Sequence, residues 1–340
     1  MRKNLVLALA LASASFGANA QSTDSSTYYF QKGTEFQAAR KFREAEKSFL
    51  KADQFAPNKV NILTGLASAY LAQNRYNEAR AQLMKADVAG PDNQDIIFQL
   101  AELSLSLRQW PDAIKYAQKL QQLKSEKPVS FFIAKSFYEQ DNFGEALKYC
   151  ERAFKEDPKR ADIPYIAGRC FIEMSNYKRA AGCFEQALAM DSSKAAWMYE
   201  AGLTYYAIPD DKKAIYWFER AGEKGHPRSN DYLENLGNAH LNAGNYAKGL
   251  EFLKEVLAKK PGDQELLYNI ADAFYRNAKY KEAIDYWDQV LTIDKTHARS
   301  LYMIGMAYQK SGETGKGTQL CDRAIAMDPS LKSLKTEKKM

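Results

Sequence analysis

Histidine and cysteine are scarce in this sequence, and the few copies do not cluster. The histidines are His226, His240 and His297. His226 and His297 fall in turns, and nothing in the spacing sets any of the three beside paired carboxylates. General-base and metal chemistry therefore have no visible seat. The cysteines are Cys150, Cys170, Cys183 and Cys321. None forms a CxxC pair, which excludes the usual zinc spacings. The phosphate loop GxxxxGK(S/T), the nucleophile elbow GxSxG and the metal motif HExxH are all missing. Gly312-Glu-Thr-Gly-Lys-Gly-Thr has the wrong spacing for a phosphate loop and reads as a turn. These absences predict a non-catalytic chain with no cofactor and no metal.

One-sided charge is lacking too. The formal net charge is +6, and Arg2 and Lys3 supply two of those charges. The remainder is spread along the chain, unlike the dense basic patch of a nucleic-acid binder. Beyond residue 20 no apolar run is long enough to cross a bilayer.

The first 20 residues are different. Arg2 and Lys3 precede an apolar run from Leu5 to Ala14, and Ala18-Asn19-Ala20 ends it with small residues. This pattern predicts a secretory signal peptide at 1–20, the alternative being an uncleaved N-terminal anchor. Gln21 follows the cut where a lipoprotein would have Cys. The expected destination is the periplasm or the medium, followed by a short polar leader at 21–25. An oxidising destination permits a disulfide.

What the sequence has in abundance is repetition. Nine segments follow one another: 26–59, 60–93, 94–126, 127–160, 161–194, 195–229, 230–263, 264–297 and 298–331. One small position reads Gly33, Ala67, Ala101, Ala134, Gly168, Gly202, Gly237, Ala271, Gly305. A second reads Ala45, Ala79, Ala113, Ala146, Ala180, Ala214, Gly249, Ala283, Gly317. Small side chains at fixed intervals are what closely crossing helices require. In the second segment Leu63, Leu66, Ala67 and Tyr70 make one helical stripe, and Ala79, Leu83 and Ala86 make another. Pro57, Pro91, Pro158, Pro261 and Pro329 close the units, because proline cannot continue a helix. Asp157, Asp191, Asp294 and Asp328 sit in the same closing turns. An aromatic opens most second helices: Phe42, Tyr76, Trp110, Phe143, Tyr177, Tyr246, Tyr280. Helical periodicity predicts that these rings pack in the core and seat the turn. Gly249 and Gly317, where alanine is usual, predict loosely held helices. No linker separates the segments, so one continuous array is expected. The basic tail at 332–340 reads as a solvating cap, with weak contact to an anionic membrane surface as the alternative.

The array resembles the tetratricopeptide repeat (TPR) family. That family has a 34-residue unit with large-x-x-Leu-Gly-x-x-Tyr in helix A, Ala-x-x-x-Phe-x-x-Ala in helix B, and a closing proline. Tyr29, Gly33, Phe36, Ala45, Phe49, Ala52 and Pro57 match it in the first repeat. Leu301, Ile304, Gly305, Tyr308, Ala324 and Pro329 match it in the ninth, where Gly317 and Cys321 depart from it. The junction from Ala214 through Pro227 to Leu236-Gly237 resembles the related Sel1-like repeat.

The resemblance implies an all-α, right-handed α-solenoid of nine helix pairs. Helix A would line a concave groove, with its fifth and twelfth positions pointing inward. From the third repeat onward the aromatics there are Phe98, Phe131, Tyr138, Tyr165, Tyr199, Tyr206, Tyr268, Tyr275 and Tyr302, which form the candidate partner-binding set. Rigid rings suit a protein or peptide partner. No repeat has Lys at the fifth position; where Asn238 holds a ninth position, Glu234 holds the fifth. The carboxylate clamp of TPR co-chaperones is therefore not expected. His240 takes a core position that is Tyr70 and Tyr308 elsewhere. Cys150 and Cys170 would lie on neighbouring helices, as either a disulfide or two buried thiols. The expected role is an exported scaffold that assembles envelope proteins. The alternatives are a holder of unfolded exported chains and a carbohydrate- or peptidoglycan-binding module.

Overall fold

The computed structural model describes residues 24–333. The expected signal peptide, the first residues of the leader and tail residues 334–340 lie outside the described residues. Eighteen α-helices and one 3-10 turn, with no strand, occupy the described residues. Helix α1 spans 24–38. There follow α2 (Phe42–Phe55), α3 (Val60–Leu71), α4 (Tyr76–Ala89), α5 (Gln94–Ser106), α6 (Trp110–Gln122), α7 (Ser130–Tyr138), α8 (Phe143–Glu156) and α9 (Asp162–Glu173). Then come α10 (Tyr177–Met190), α11 (Ala195–Ala207), α12 (Asp211–Glu223), α13 (Asn230–Asn242), α14 (Tyr246–Lys259) and α15 (Gln264–Arg276). The last are α16 (Tyr280–Ile293), α17 (Ala298–Lys310), α18 (Thr314–Met327) and the turn Pro329–Leu331. Odd helices are the A helices of the repeats and even helices the B helices. This is the fold class that the repeat pattern predicts, a solenoid of helix pairs. The chain groups into two compact units, Met1–Met174 and Ser175–Met340.

Each A helix ends in the same way. One residue takes a positive φ: Arg40, Asn74, Arg108, Asp141, Ser175, Pro209, Ala278, and glycine only at Gly244 and Gly312. In the second repeat Arg75 N–H then returns to the Tyr70 carbonyl at 2.9 Å, which satisfies an orphan helix-end acceptor. B helices end differently. Ala56, Gly90, Asp157, Lys260 and Asp328 are C-caps that leave the helical region, and the proline that follows each of them disfavours further helix. The closing aspartates have a local task. Asp191 and Asp294 accept the backbone N–H two residues on, from Ser193 and Thr296, at 3.0 and 2.8 Å. These turn hydrogen bonds, with those from the Ser193 and Thr296 hydroxyls, hold both carboxyls below the usual range.

The small positions work as steric permits. A Cβ on Gly33 would stand 2.6 Å from the Phe49 ring, and one on Gly202 would stand 2.5 Å from the Phe218 ring. Glycine therefore sits where the facing B helix inserts a phenyl ring. Gly249 and Gly317 do not mark loose helices. A Cβ on Gly249 would stand 2.8 Å from the Gly237 carbonyl oxygen, and one on Gly317 would stand 2.5 Å from the Gly305 carbonyl oxygen. In those two repeats both small positions are glycine, so backbone meets backbone and the crossing is tighter than alanine permits.

The aromatics that open the B helices are not core. Phe42, Trp110, Phe143, Tyr246 and Tyr280 are half-buried, while Tyr76 and Tyr177 are exposed. They do seat the turn. Phe143 lies 6.0 Å from Tyr138 and Tyr280 lies 5.5 Å from Tyr275, ring centre to ring centre. A helix start cannot bury a large ring fully because the following turn stays open to solvent.

In the second unit one clasp recurs between consecutive repeats. Tyr205 O–H and the Lys213 ammonium both reach Glu185 Oε1. One repeat on, the same positions hold His240, Lys248 and Glu219. Lys248 donates to Glu219 Oε1, and His240 Nε2 stands 3.7 Å from that oxygen. His240 is buried, as its place among core tyrosines predicts, and its Nδ1 lies 3.4 Å from Asn245 Nδ2. Burial, with the nearby Lys248 charge, pushes the imidazole below its ordinary value. Cys150 and Cys170 are buried thiols on α8 and α9, and their burial needs no bridge.

Candidate partner-binding site

In the first unit the fifth- and twelfth-position rings are present on the A helices, but they are not bare. The Lys127 ammonium sits 4.8 Å from the centre of the half-buried Phe98 ring, and Asp95 pairs with it at 2.9 Å. The Arg160 guanidinium lies 3.7 Å over Phe131, with Asp162 at 3.8 Å from its Nε. Arg169 stands 5.7 Å from the Tyr138 ring centre and donates to Tyr165 Oη at 3.4 Å. Cations from the next turn or helix thus roof these rings. Tyr138 and Tyr165 stay half-buried, and burial pushes the Tyr138 phenol up. Phe131 is buried, so it cannot touch a partner while Arg160 covers it.

The second unit covers its rings with different groups. The imidazole of His226 stacks on Tyr199 at 4.3 Å, and Asn235 donates to Tyr199 Oη at 2.9 Å. Burial raises the Tyr199 phenol and lowers the His226 imidazole. Tyr268 has Trp287 at 6.0 Å, His297 at 5.9 Å and the Arg299 guanidinium at 5.4 Å. Tyr275 packs 5.8 Å from Trp287. Burial pushes both phenols up. Tyr302 is buried, in one cluster with Cys321 and Leu331 of the closing turn, and is withdrawn from the surface. The candidate set is therefore seven half-buried rings, with Phe131 and Tyr302 taken into the core.

Between these rings the surface is polar, and this part of the site was missed from the sequence. Tyr206 borders a cleft of about 150 Å³ whose walls include Asn238, Asn242, Asn269, Asp272 and Arg276. A larger cleft of about 490 Å³ is lined by Gln264, Glu265, Tyr268, Asn269, Asp272, Arg276, His297 and Arg299. Within it Arg276 pairs with Asp272 at 2.7 Å. A signal was available: Asn235, Asn238 and Asn242 follow the i, i+3, i+7 stripe of α13. Amide and guanidinium groups along one helix face can hydrogen-bond an extended chain. Among the described residues no three His, Cys, Asp or Glu side chains converge as a metal site would need, and no helix is long and apolar enough to cross a membrane.

Comparison with known proteins agrees with the geometry. No curated protein matches the sequence. The C-terminal part of a TPR repeat-containing protein from Cytophaga hutchinsonii matches in structure at 18% identity, covering 72% of this chain and 100% of that one, with a TM-score of 0.50. YrrB, described as a TPR protein with an unusual peptide-binding site, matches at 23% identity over 56% of this chain and 98% of its own, with a TM-score of 0.45. PilW, a type IV pilus biogenesis factor, matches at 17% identity over 61% and 97%, with a TM-score of 0.44. The profile for subunit 3 of the anaphase-promoting complex, or cyclosome, matches residues 106–187 and 210–290. The tetratricopeptide repeat profile matches 30–94, 64–128, 167–225 and 268–331, more than half of the sequence. With its helix pairs, its small-residue crossings and this match in hand, the chain belongs to the tetratricopeptide repeat family.

Proposed function

We propose that this protein is an exported, non-catalytic scaffold that binds protein or peptide partners along the faces of its A helices and assembles them in the cell envelope. One observation carries the reading. Half-buried rings alternate on these faces with amides and cations that a polypeptide can engage. Membership of the repeat family supports partner binding, and the pattern at residues 1–20 supports export. The left-handed Gly225 before His226-Pro227 fits a Sel1-like junction, whose turn feeds the imidazole onto Tyr199.

The covering of the rings favours a scaffold over both alternatives. A promiscuous holder of unfolded chains needs bare apolar surface. A sugar platform needs an open ring face, and the faces of Tyr199 and Tyr268 are taken by His226 and Arg299. Crosslinking in cells followed by mass spectrometry tests the proposal. Discrete envelope proteins are expected with the native chain. They should be lost with Tyr165→Ala/Tyr199→Ala/Tyr206→Ala, and with Asn238→Ala/Asn269→Ala, whose half-buried amides border the clefts and lie outside the hydrophobic core. Capture that survives both variants defeats the reading. Mass measurement of the mature protein should place its first residue at Gln21.

A further inference from the structure

We propose that the outer face of the first two B helices, α2 and α4, is a docking surface for an anionic lipid bilayer. The inference goes beyond the scaffold reading and needs no partner protein.

Exposed apolar side chains gather at this end of the chain. Among the described residues twelve large ones are exposed, and six of them, Tyr28, Leu50, Phe55, Tyr76, Met84 and Val88, lie in the first two of the nine repeats. The repeat register shows that the fold does not require them. The ninth position of the B helix is Leu50 in α2 and Met84 in α4. It is Gln118 in the third repeat and a charged residue in each of the six that follow, from Glu151 to Asp322. Val88 is 83% exposed, and its place is held by Lys155 in α8 and Glu223 in α12. Positions that take charge in later repeats take apolar residues here, side by side, which marks a contact surface.

Cations lie among these side chains. At about 100° per residue the exposed arc of α2 runs from Leu50 through Arg43, Lys47 and Lys51 to Phe55, with Glu44 as its one acid. In α4 Lys85 adjoins Met84 and Val88 on the exposed side. Tyr29 stacks on Phe55 at 5.8 Å, and the Lys51 and Lys32 ammoniums lie 5.1 Å from the ring centres of Tyr29 and Tyr28. Among the described residues no carboxylate pairs with Arg43, Lys47, Lys51 or Lys85. The neighbouring acids are held elsewhere: Arg75 takes Glu46 and Glu78 at 2.9 and 3.0 Å, and Lys119 takes Asp87 at 3.1 Å. Residues 26–93 carry ten Lys and Arg against seven Asp and Glu, whereas residues 94–331 carry 32 against 33. The unanswered charge of the array is therefore positive and sits at this end.

This composition selects a bilayer over a protein. A protein interface desolvates its centre, where lysine is depleted. Arg43, Lys47 and Lys51 divide Leu50 from Phe55, so a protein that buried both would strip water from three unpaired cations. A bilayer separates the two needs by depth. Apolar side chains and rings enter the boundary between headgroups and acyl chains, while long cationic side chains reach back to the lipid phosphates. Cations held near an anionic surface add their attractions within a Debye length.

Flotation of the full mature chain with lipid vesicles tests this. The chain should bind vesicles of phosphatidylethanolamine and phosphatidylglycerol at least tenfold more tightly than vesicles of phosphatidylcholine alone, and high salt should weaken that binding. Lys47→Glu/Lys51→Glu/Lys85→Glu should lower the affinity for the anionic vesicles at least tenfold, and Leu50→Glu/Met84→Glu/Val88→Glu at least threefold. Later repeats carry charge at the places of Leu50, Met84 and Val88, so the fold survives, and an unchanged urea midpoint checks it. The same charge change on exposed lysines of the second unit, Lys281→Glu/Lys295→Glu/Lys310→Glu, should leave binding as in the native chain, as should a chain ended at Leu331. Failure to bind anionic vesicles, equal binding of both kinds, or indifference to the two face variants overturns the proposal. Loss of binding in the chain ended at Leu331 would assign the contact to the basic tail and overturn it too. If Leu50→Glu/Met84→Glu/Val88→Glu instead dissociates a dimer in ultracentrifugation, the face joins two copies and the bilayer assignment fails. Partner crosslinking from the A helices is a separate readout, so failure here leaves the scaffold reading standing.

Discussion

The two units use one frame to present different surfaces. In the first, the rings of Phe98 and Phe131 lie under Lys127 and Arg160, and Asp95 and Asp162 answer those charges. In the second, His226 and His297 approach Tyr199 and Tyr268, and the Arg299 guanidinium lies 5.4 Å from the Tyr268 ring centre. The small residues that set the helix crossings are the same kind in both. Recognition chemistry therefore varies independently of packing, which is how a repeat fold can hold many partners.

The largest expected effects test whether the frame is shared. Gly317→Ala sets a methyl 2.5 Å from the Gly305 carbonyl oxygen, on backbone that cannot turn aside. Gly202→Ala and Gly33→Ala press on the rings of Phe218 and Phe49. Each should cost about 1–3 kcal/mol in urea unfolding, with Gly317→Ala at the upper end. Phe218→Leu should recover part of the Gly202→Ala loss. Similar costs for Gly33→Ala and Gly202→Ala would show one frame; a cost confined to one unit would break the comparison.

Acid should separate the units. All three histidines lie in the second. Burial holds His240 and His226 below the ordinary imidazole value. A depressed histidine stabilises the fold fully above the unfolded value, near 6.5, and that contribution is lost as pH falls from there through the folded value. Hydrogen exchange at pH 5 and pH 7.5 should show protection falling in α12–α14 and holding in α3–α6. His240→Phe should remove much of the difference. Equal loss in both units would contradict this account.

A smaller effect has the opposite sign. Ala278 and Arg108 hold left-handed conformations at the ends of A helices, at φ of 55° and 57°. Glycine carries no Cβ penalty there, so Ala278→Gly and Arg108→Gly should each stabilise by about 0.5–1 kcal/mol. Midpoints of urea unfolding check it. The smallest change concerns Cys150 and Cys170. Alkylation of the denatured chain without reductant should add four groups; two would reveal a bridge.

The frame was legible in the sequence because sterics leaves few choices. Gly33, Ala45 and Pro57 each have one role that fits, and the structure places them in it. The surface was legible only in part. The fifth-position rings were found, yet what covers them was not, because Lys127, Arg160, His226 and Arg299 arrive from inter-repeat turns or the next helix start. Their approach depends on turn geometry that helical spacing does not encode. Gly249 and Gly317 were misread for a related reason. A missing side chain looks like missing contact until the facing residue, Gly237 or Gly305, is known to be glycine as well. The opening aromatics of the B helices follow the period of a core stripe, but a helix start beside an open turn leaves Tyr76 and Tyr177 in water.

Site-specific photo-crosslinking tests the central claim most directly. A benzophenone amino acid would replace Asn238 or Asn269 on the A-helix face of the second unit, Glu102 on that of the first, and the exposed Val88 and Tyr216 on B helices. The account predicts discrete protein adducts from the A-helix positions, different between the two units, and none from Val88 or Tyr216. Adducts from the B-helix positions with none from Asn238, Asn269 and Glu102 would contradict it.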